Sequence, residues 1–234
     1  MTALSRAIIF DFNGVIADDE GPHLSAFQQA LREHGLELTA AEYYGTYLGM
    51  DERNCLEALL IARAGKLDEA LAARIHMRKA ELFREHCASS PPPLFAGAAE
   101  LVESLRPHYR LAIASGGRRG QIDAALRGTP IAQHFDVVVA AEDVAVGKPD
   151  PAIYRLTLDR LNAIDRARRL EPADCLVVED SRAGIASARA AGMRVVAVAT
   201  TYRADDLAHA DAVVSSLKEL TAERVNRLLQ SRPR

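Results

Sequence analysis

Several patterns are scarce in this chain of 234 residues, and each scarcity disfavours a class of protein. Three widely spaced cysteines, without a Cys-x-x-Cys pair, predict neither a disulfide framework nor a zinc site. No run of about 18 apolar residues is present, which argues against a membrane-spanning helix. The formal net charge is only −3, so no overall basic field favours nucleic acid or an anionic membrane as a partner.

What the chain does contain is typical of a cytoplasmic globular protein. Its residues are 49% hydrophobic and 26% charged, which is enough to bury a sizeable core. The N-terminus passes directly into a charged strand and shows no cleavable signal. We expect Cys55, Cys87 and Cys175 to be reduced, mostly buried thiols, and the protein to be a monomer or a weak homodimer.

Short apolar runs, rich in β-branched residues, predict six buried strands that alternate with helical stretches. Such alternation is typical of βαβ units, and therefore of an α/β fold with a doubly wound parallel sheet. The predicted strands are residues 7–10, 111–114, 137–139, 176–178, 195–198 and 212–214.

The segment between the first two strands has a different period. Over residues 22–86, apolar residues recur at i, i+3 and i+4, which predicts about four helices. The apolar positions that carry this pattern are Leu24, Phe27, Leu31, Leu56, Leu59 and Leu60. We therefore expect a discontinuous Rossmann-like core, residues 1–17 and 91–234, with an α-helical cap inserted as residues 18–90.

Chemically useful residues follow the predicted strands. They are Asp11, Ser115, Gly116, Lys148, Glu179 and Asp180, each at or after the end of a strand. The carboxyl ends of parallel strands meet at one edge of the sheet, where open α/β proteins bind ligands. Each feature alone has an ordinary explanation as a turn, a loop or a helix N-cap. Together they predict a site for Mg²⁺ and a phosphate group.

With these motifs the chain resembles the haloacid dehalogenase superfamily of hydrolases, in the group of β-phosphoglucomutase and sugar-phosphate phosphatases. The resemblance covers essentially the whole chain, including the helical cap. It implies that Asp11 attacks phosphorus and forms an aspartyl-phosphate.

The same resemblance implies a metal site and a phosphate site. Mg²⁺ would be held by Asp11, by the backbone carbonyl of Asn13 and by Asp180, with Glu179 acting through water. Phosphate would be bound by the Ser115 hydroxyl, the Gly116 amide and Lys148.

Two cap residues are candidate substrate-binding groups. His23 matches a position at which related enzymes often have a histidine, but a partly buried histidine on an amphipathic helix explains it equally well. Lys79 resembles a cap lysine that reaches substrate, but a solvated helix face is the more common explanation. The stretch Gly49-Met50-Asp51 lies where the cap loops of related enzymes recognise the substrate.

Asn13 departs from the resemblance, because related phosphatases have an aspartate there that transfers protons. An amide has no ionisable proton in the working range, so we expect slow turnover of alkyl phosphates. Three explanations stay open. Asp19 or His23 takes the proton role, the substrate needs no acid, or the residue is a substitution introduced to stall turnover.

The sequence therefore predicts a Mg²⁺-dependent phosphatase-like hydrolase that acts on a small phosphorylated metabolite. The alternatives are a weakened phosphate-binding or regulatory homologue and a β-phosphoglucomutase-like phosphomutase. The mutase is disfavoured because its reaction needs repeated proton transfers that Asn13 cannot supply. A relative in the same family cleaves carbon–phosphorus bonds with a cap lysine that forms a Schiff base. That reaction is disfavoured here because the corresponding cap stretch, residues 48–52, has no lysine.

Overall fold

The computed structural model describes residues 4–47, 50, 52–165 and 168–230. Contacts between Cα atoms divide the chain into two compact units, with borders between Asp18 and Asp19 and between Pro92 and Pro93. These borders lie one and two residues from the predicted domain limits.

The first unit is built on a parallel sheet with strand order β3-β2-β1-β4-β5-β6. The strands are β1 (Ala7–Phe10), β2 (Arg110–Ala114), β3 (Val137–Val139), β4 (Cys175–Glu179), β5 (Arg194–Val198) and β6 (Ala212–Val214). β1 lies in the middle and the order reverses beside it, between β1 and β4. The predicted doubly wound α/β fold is confirmed.

Four helices of this unit lie between successive strands, and a fifth follows β6. They are α5 (Ala98–Leu105), α6 (Arg119–Leu126), α7 (Ala152–Ile164), α8 (Arg182–Ala190) and α9 (Ala222–Gln230). Because side chains alternate along a strand, β1 contributes to two apolar layers. Ile8 and Phe10 belong to one layer, whereas Ala7 and Ile9 belong to the other.

The second unit is helical. It contains α1 (Glu20–Arg32), α2 (Ala40–Glu42), a π-helical turn (Tyr43–Tyr47), α3 (Glu52–Ala64) and α4 (Glu69–Ser89), and α1 packs on α4. The helical prediction is confirmed, since every apolar position used for it is buried: Leu24, Phe27, Leu31, Leu56, Leu59 and Leu60. Asp68 begins α4 by accepting a hydrogen bond from the Leu71 amide, as an N-cap residue does.

Two further predictions concern the cysteines and the membrane. Cys55, Cys87 and Cys175 are all buried, as expected, and in the part of the chain that the structure describes none of them forms a disulfide. Within the described ranges, every helix is too short or too polar to cross a bilayer.

Candidate active site

Asp11 directly follows β1 and lies at the junction between β1 and β4. Its amide donates to the carbonyl of Val178 at 2.9 Å, which continues the β1–β4 pairing by one residue. The chain then turns sharply, and the Gly14 amide donates to the Ala17 carbonyl at 3.0 Å. Gly14 has φ +76°, and a Cβ there would lie 2.7 Å from Asp180 Cγ. Only glycine allows the turn to approach Asp180 so closely.

Lys148 joins two carboxylates from different strands. Its Nζ donates to Asp11 Oδ1 at 2.7 Å and to Glu179 Oε1 at 2.5 Å. The ammonium also lies 5.1 Å from the ring centroid of Tyr154. Burial opposes the charged form, but Asp11 and Glu179 raise the pKa of Lys148 well above its usual value. Lys148 is therefore a permanent positive charge beside Asp11.

Glu179 is completely buried and receives hydrogen bonds on both oxygens. Lys148 and Tyr154 donate to Oε1, and the Asp180 amide, the Ser181 amide and the Ser181 hydroxyl donate to Oε2. Burial alone would raise the pKa of Glu179, but Lys148 and these donors lower it. The carboxylate is thus a fixed negative charge whose acceptor sites are used by the protein itself.

Three carboxylates share this edge of the sheet. Single oxygens of Asp11, Glu179 and Asp180 all lie within 4.8 Å of one another. Burial raises the pKa of Asp11 to about 7, although Lys148 opposes the shift. Burial and the neighbouring charges of Glu179 and Asp11 raise the pKa of Asp180 well above its usual value.

The charge of this cluster suits a divalent cation. If all three carboxylates were ionised, the single ammonium of Lys148 would leave two negative charges uncompensated in a buried site, which is costly. Hard oxygen ligands at this spacing fit Mg²⁺ better than a thiophilic metal. Among the described residues, this is the one group of three such ligands that could hold a metal.

Asn13 and Ser115 lie together although 102 positions separate them. Ser115 Oγ donates to Asn13 Oδ1 at 3.1 Å and accepts from the Gly117 amide at 2.9 Å. Ser115 is buried, whereas Gly116 is exposed, and a Cβ added at Gly116 would meet no atom within 4 Å. Asn13 therefore accepts the hydrogen bond of the Ser115 hydroxyl, the group that the family resemblance assigns to phosphate binding.

The two cap candidates lie together in the helical unit. Lys79 Nζ is 2.6 Å from His23 Nδ1 and 2.5 Å from Glu52 Oε2. The His23 ring stacks on Phe83 at 3.9 Å, and its Nε2 lies 3.3 Å from Asp19 Oδ2. Lys79 is only 2% exposed, so the interpretation as a solvated helix face is wrong. Gly49 and Asp51, which belong to the cap stretch predicted to recognise the substrate, lie outside the described residues.

Sequence reasoning missed four residues that contact these groups. Tyr154 donates to Glu179 at 2.9 Å, and Thr200 donates to the Gly14 carbonyl at 2.5 Å. Thr201 donates to Asp180 Oδ2, and Glu52 pairs with Lys79 and, at 3.1 Å, with His76. The two threonines follow β5 after one intervening alanine, so the strand-end rule that identified Asp11 could have found them as well.

The fold and the carboxylate–lysine cluster define a class, α/β hydrolytic enzymes with the site at the ends of parallel strands. A family model for haloacid dehalogenase-like hydrolases matches residues 5–192. The chain belongs to this family, as its sequence motifs predict.

Within this family, two relatives and one crystal structure are similar to most of the chain. The chain is 36% identical to protein CbbY of Rhodobacter capsulatus, over 95% of this chain and 98% of that one. It is 32% identical to a phosphorylated carbohydrates phosphatase of Thermotoga maritima, over 80% and 82%. A crystal structure of mutant CbbY from Rhodobacter sphaeroides, in complex with xylulose-(1,5)bisphosphate, superposes with a TM-score of 0.79. That structure is 30% identical and covers 93% of this chain and 96% of its own.

Proposed function

We propose that this protein is a Mg²⁺-dependent phosphatase that acts on a small phosphorylated metabolite, a phosphorylated sugar. The observation that carries the proposal is the position of Lys148, which bonds Asp11 and Glu179 at once while Asp180 lies within reach of the same cation. The sugar class is supported by the relatives, one named for phosphorylated carbohydrates and one crystallised with a pentulose bisphosphate. Three cysteines that are not joined in disulfides support a cytoplasmic location.

In the proposed reaction Asp11 is the nucleophile. Lys148 holds Oδ1, so the other carboxylate oxygen is available to attack phosphorus. The bond from phosphorus to the leaving oxygen breaks, and an aspartyl-phosphate forms on Asp11. Water then attacks phosphorus, inorganic phosphate leaves, and the carboxylate is restored.

The residues around Asp11 supply charge and position. Mg²⁺, when bound by Asp11, the Asn13 carbonyl and Asp180, would neutralise charge that develops on the phosphoryl oxygens. Lys148 and the Gly116 amide would bind the same phosphate group, and Glu179 keeps Lys148 in place. Ser115 can join them once its hydroxyl turns from Asn13 to the phosphate.

Proton transfer is the step that this site performs poorly. Neither the departing alkoxide nor the attacking water can exchange a proton with the amide of Asn13. Acyl and aryl phosphates, whose leaving groups need no proton, should therefore react fastest. His23 and Lys79 stay candidates for substrate contact on the sequence grounds given above.

One observation favours a second candidate, a phosphate-binding protein with little turnover. The Asn13 side chain accepts the Ser115 hydroxyl, so an amide stands within the phosphate site where proton transfer is needed. Such a protein would bind phosphate esters without releasing phosphate.

A substrate screen separates the two candidates. Phosphorylated sugars and p-nitrophenyl phosphate are tested with Mg²⁺ and with a chelator, on the wild type and on Asp11→Asn. Turnover that needs Mg²⁺ and disappears in Asp11→Asn supports the phosphatase. The control Asp159→Asn, at an exposed position of α7, should keep full activity. Binding without any turnover would instead support the second candidate.

A further inference from the structure

Thr201 bonds one particular oxygen of Asp180. The threonine follows β5, and its hydroxyl donates to Asp180 Oδ2. A hydroxyl has a single proton to donate, so this contact uses the whole donor capacity of the side chain. Of the two carboxylate oxygens of Asp180, one therefore accepts a hydrogen bond from a neutral protein donor.

Asp180 has little freedom to change this arrangement. It is 5% exposed, and the Gly14 turn packs against its carboxyl group so tightly that a Cβ would lie 2.7 Å from Asp180 Cγ. That same Cβ position is 2.9 Å from Thr201 Oγ1. Thr200 fastens the turn from the other side by donating to the Gly14 carbonyl at 2.5 Å. The Asp180 carboxylate therefore lies between the Gly14 turn and Thr201.

The number of oxygens that a carboxylate offers affects which cation it suits. Mg²⁺ requires near-ideal octahedral geometry at about 2.0–2.1 Å and keeps several of its waters. Ca²⁺ takes six to eight oxygens at about 2.3–2.6 Å and readily accepts both oxygens of one carboxylate. A carboxylate with one oxygen already engaged is thus a poorer ligand for Ca²⁺ than for Mg²⁺.

We propose that Thr201 is a positioning residue that keeps Asp180 a one-oxygen ligand and thereby favours Mg²⁺ over Ca²⁺. The inference rests on the proposed function, because it takes Asp180 to be a metal ligand. It assigns a role to a residue outside the cluster of Asp11, Glu179 and Asp180.

Direct metal binding tests the inference without any assay of turnover. Calorimetric titration with Mg²⁺ and with Ca²⁺ is performed on the wild type, Thr201→Val and Thr201→Ser. Valine keeps the shape but removes the hydroxyl, so Mg²⁺ affinity should fall about ten- to 100-fold. Ca²⁺ affinity should fall less, because both oxygens of Asp180 are released, and the Mg²⁺/Ca²⁺ affinity ratio should drop. Serine restores the hydroxyl and should restore the ratio.

Controls distinguish this role from a general loss of structure. Thr157→Val removes another buried hydroxyl, one that donates to the Ile153 carbonyl at 2.8 Å, and should leave the ratio unchanged. If Thr201→Val does not fold, as judged by circular dichroism, Thr201→Ala takes its place. An unchanged ratio in the folded variant, or a serine variant as impaired as valine, overturns the inference but not the phosphatase. A wild type that binds no Mg²⁺ overturns both.

Discussion

Asn13→Asp is the substitution that examines the chemistry of this site most closely. It changes one amide nitrogen into oxygen, so the side chain keeps its size and can still accept the Ser115 hydroxyl at about the present 3.1 Å. The new carboxyl group enters a region where burial already raises the pKa of Asp11 to about 7. Its own pKa should rise for the same reason, which keeps a proton available near neutral pH for the leaving oxygen.

The size of the gain follows from general acid–base catalysis. A positioned proton carrier typically contributes about 10²–10⁴ in rate, which corresponds to roughly 3–5 kcal/mol of activation free energy. We expect a gain of this order in kcat for alkyl phosphates such as sugar phosphates. In the first step, phosphoryl transfer to Asp11, the gain should be much smaller for p-nitrophenyl phosphate, whose leaving group needs no proton. The second step, hydrolysis of the aspartyl-phosphate, is the same for both substrates.

Single-turnover kinetics of leaving-group release from both substrates, with Asn13→Ala beside Asn13→Asp, measure this difference. The alanine variant releases Ser115 but adds no proton carrier, so it should not show the gain. An aspartate variant no faster than wild type on every sugar phosphate would refute the reasoning. It would mean that another group already moves the proton.

Three further substitutions have expected outcomes. Lys148→Met should abolish turnover and lower the free energy of unfolding by about 3–5 kcal/mol in chemical denaturation, because buried carboxylates lose their counter-charge. Burial raises the pKa of Asp11 from 3.8 to about 7. Ionising Asp11 therefore destabilises the folded protein more and more as the pH rises between these two values, and has no effect at lower pH. Metal-free Asp11→Asn should therefore gain stability over wild type between pH 4 and pH 8, on the order of 4 kcal/mol, in denaturant titrations at each pH. An offset independent of pH would contradict that shift. Gly14→Ala should weaken Mg²⁺ binding in calorimetry, because its Cβ overlaps Asp180 at a positive φ; wild-type affinity would contradict the packing described.

Much of the fold follows from the sequence, because its strands are short apolar runs with clear ends. All six predicted strands lie within the observed ones, differing by at most one residue at each end. The residues at the ends of these strands converge because parallel strands align their carboxyl ends. Asp11, Lys148, Glu179 and Asp180 could therefore be identified together without coordinates.

Other parts of the site depend on packing that no local pattern reports. Lys79 is buried because His23 and Glu52, from two other helices, satisfy its ammonium group. The charge pattern favoured a solvated helix face for Lys79, since it carries no information about partners 27 or 56 positions away. Tyr154 likewise looks like an ordinary core residue of α7, and only the fold brings its hydroxyl to Glu179.

The central claim is that Asp11 becomes phosphorylated during turnover, and one measurement tests it directly. The protein is mixed with acetyl phosphate and Mg²⁺, quenched in acid within the first turnover, before the aspartyl-phosphate is hydrolysed, and then digested and analysed by mass spectrometry. The account predicts one phosphoryl group on the peptide that contains Asp11, dependent on Mg²⁺ and absent from Asp11→Asn. Release of phosphate with that peptide unmodified, or with the phosphoryl group on another residue, would contradict it.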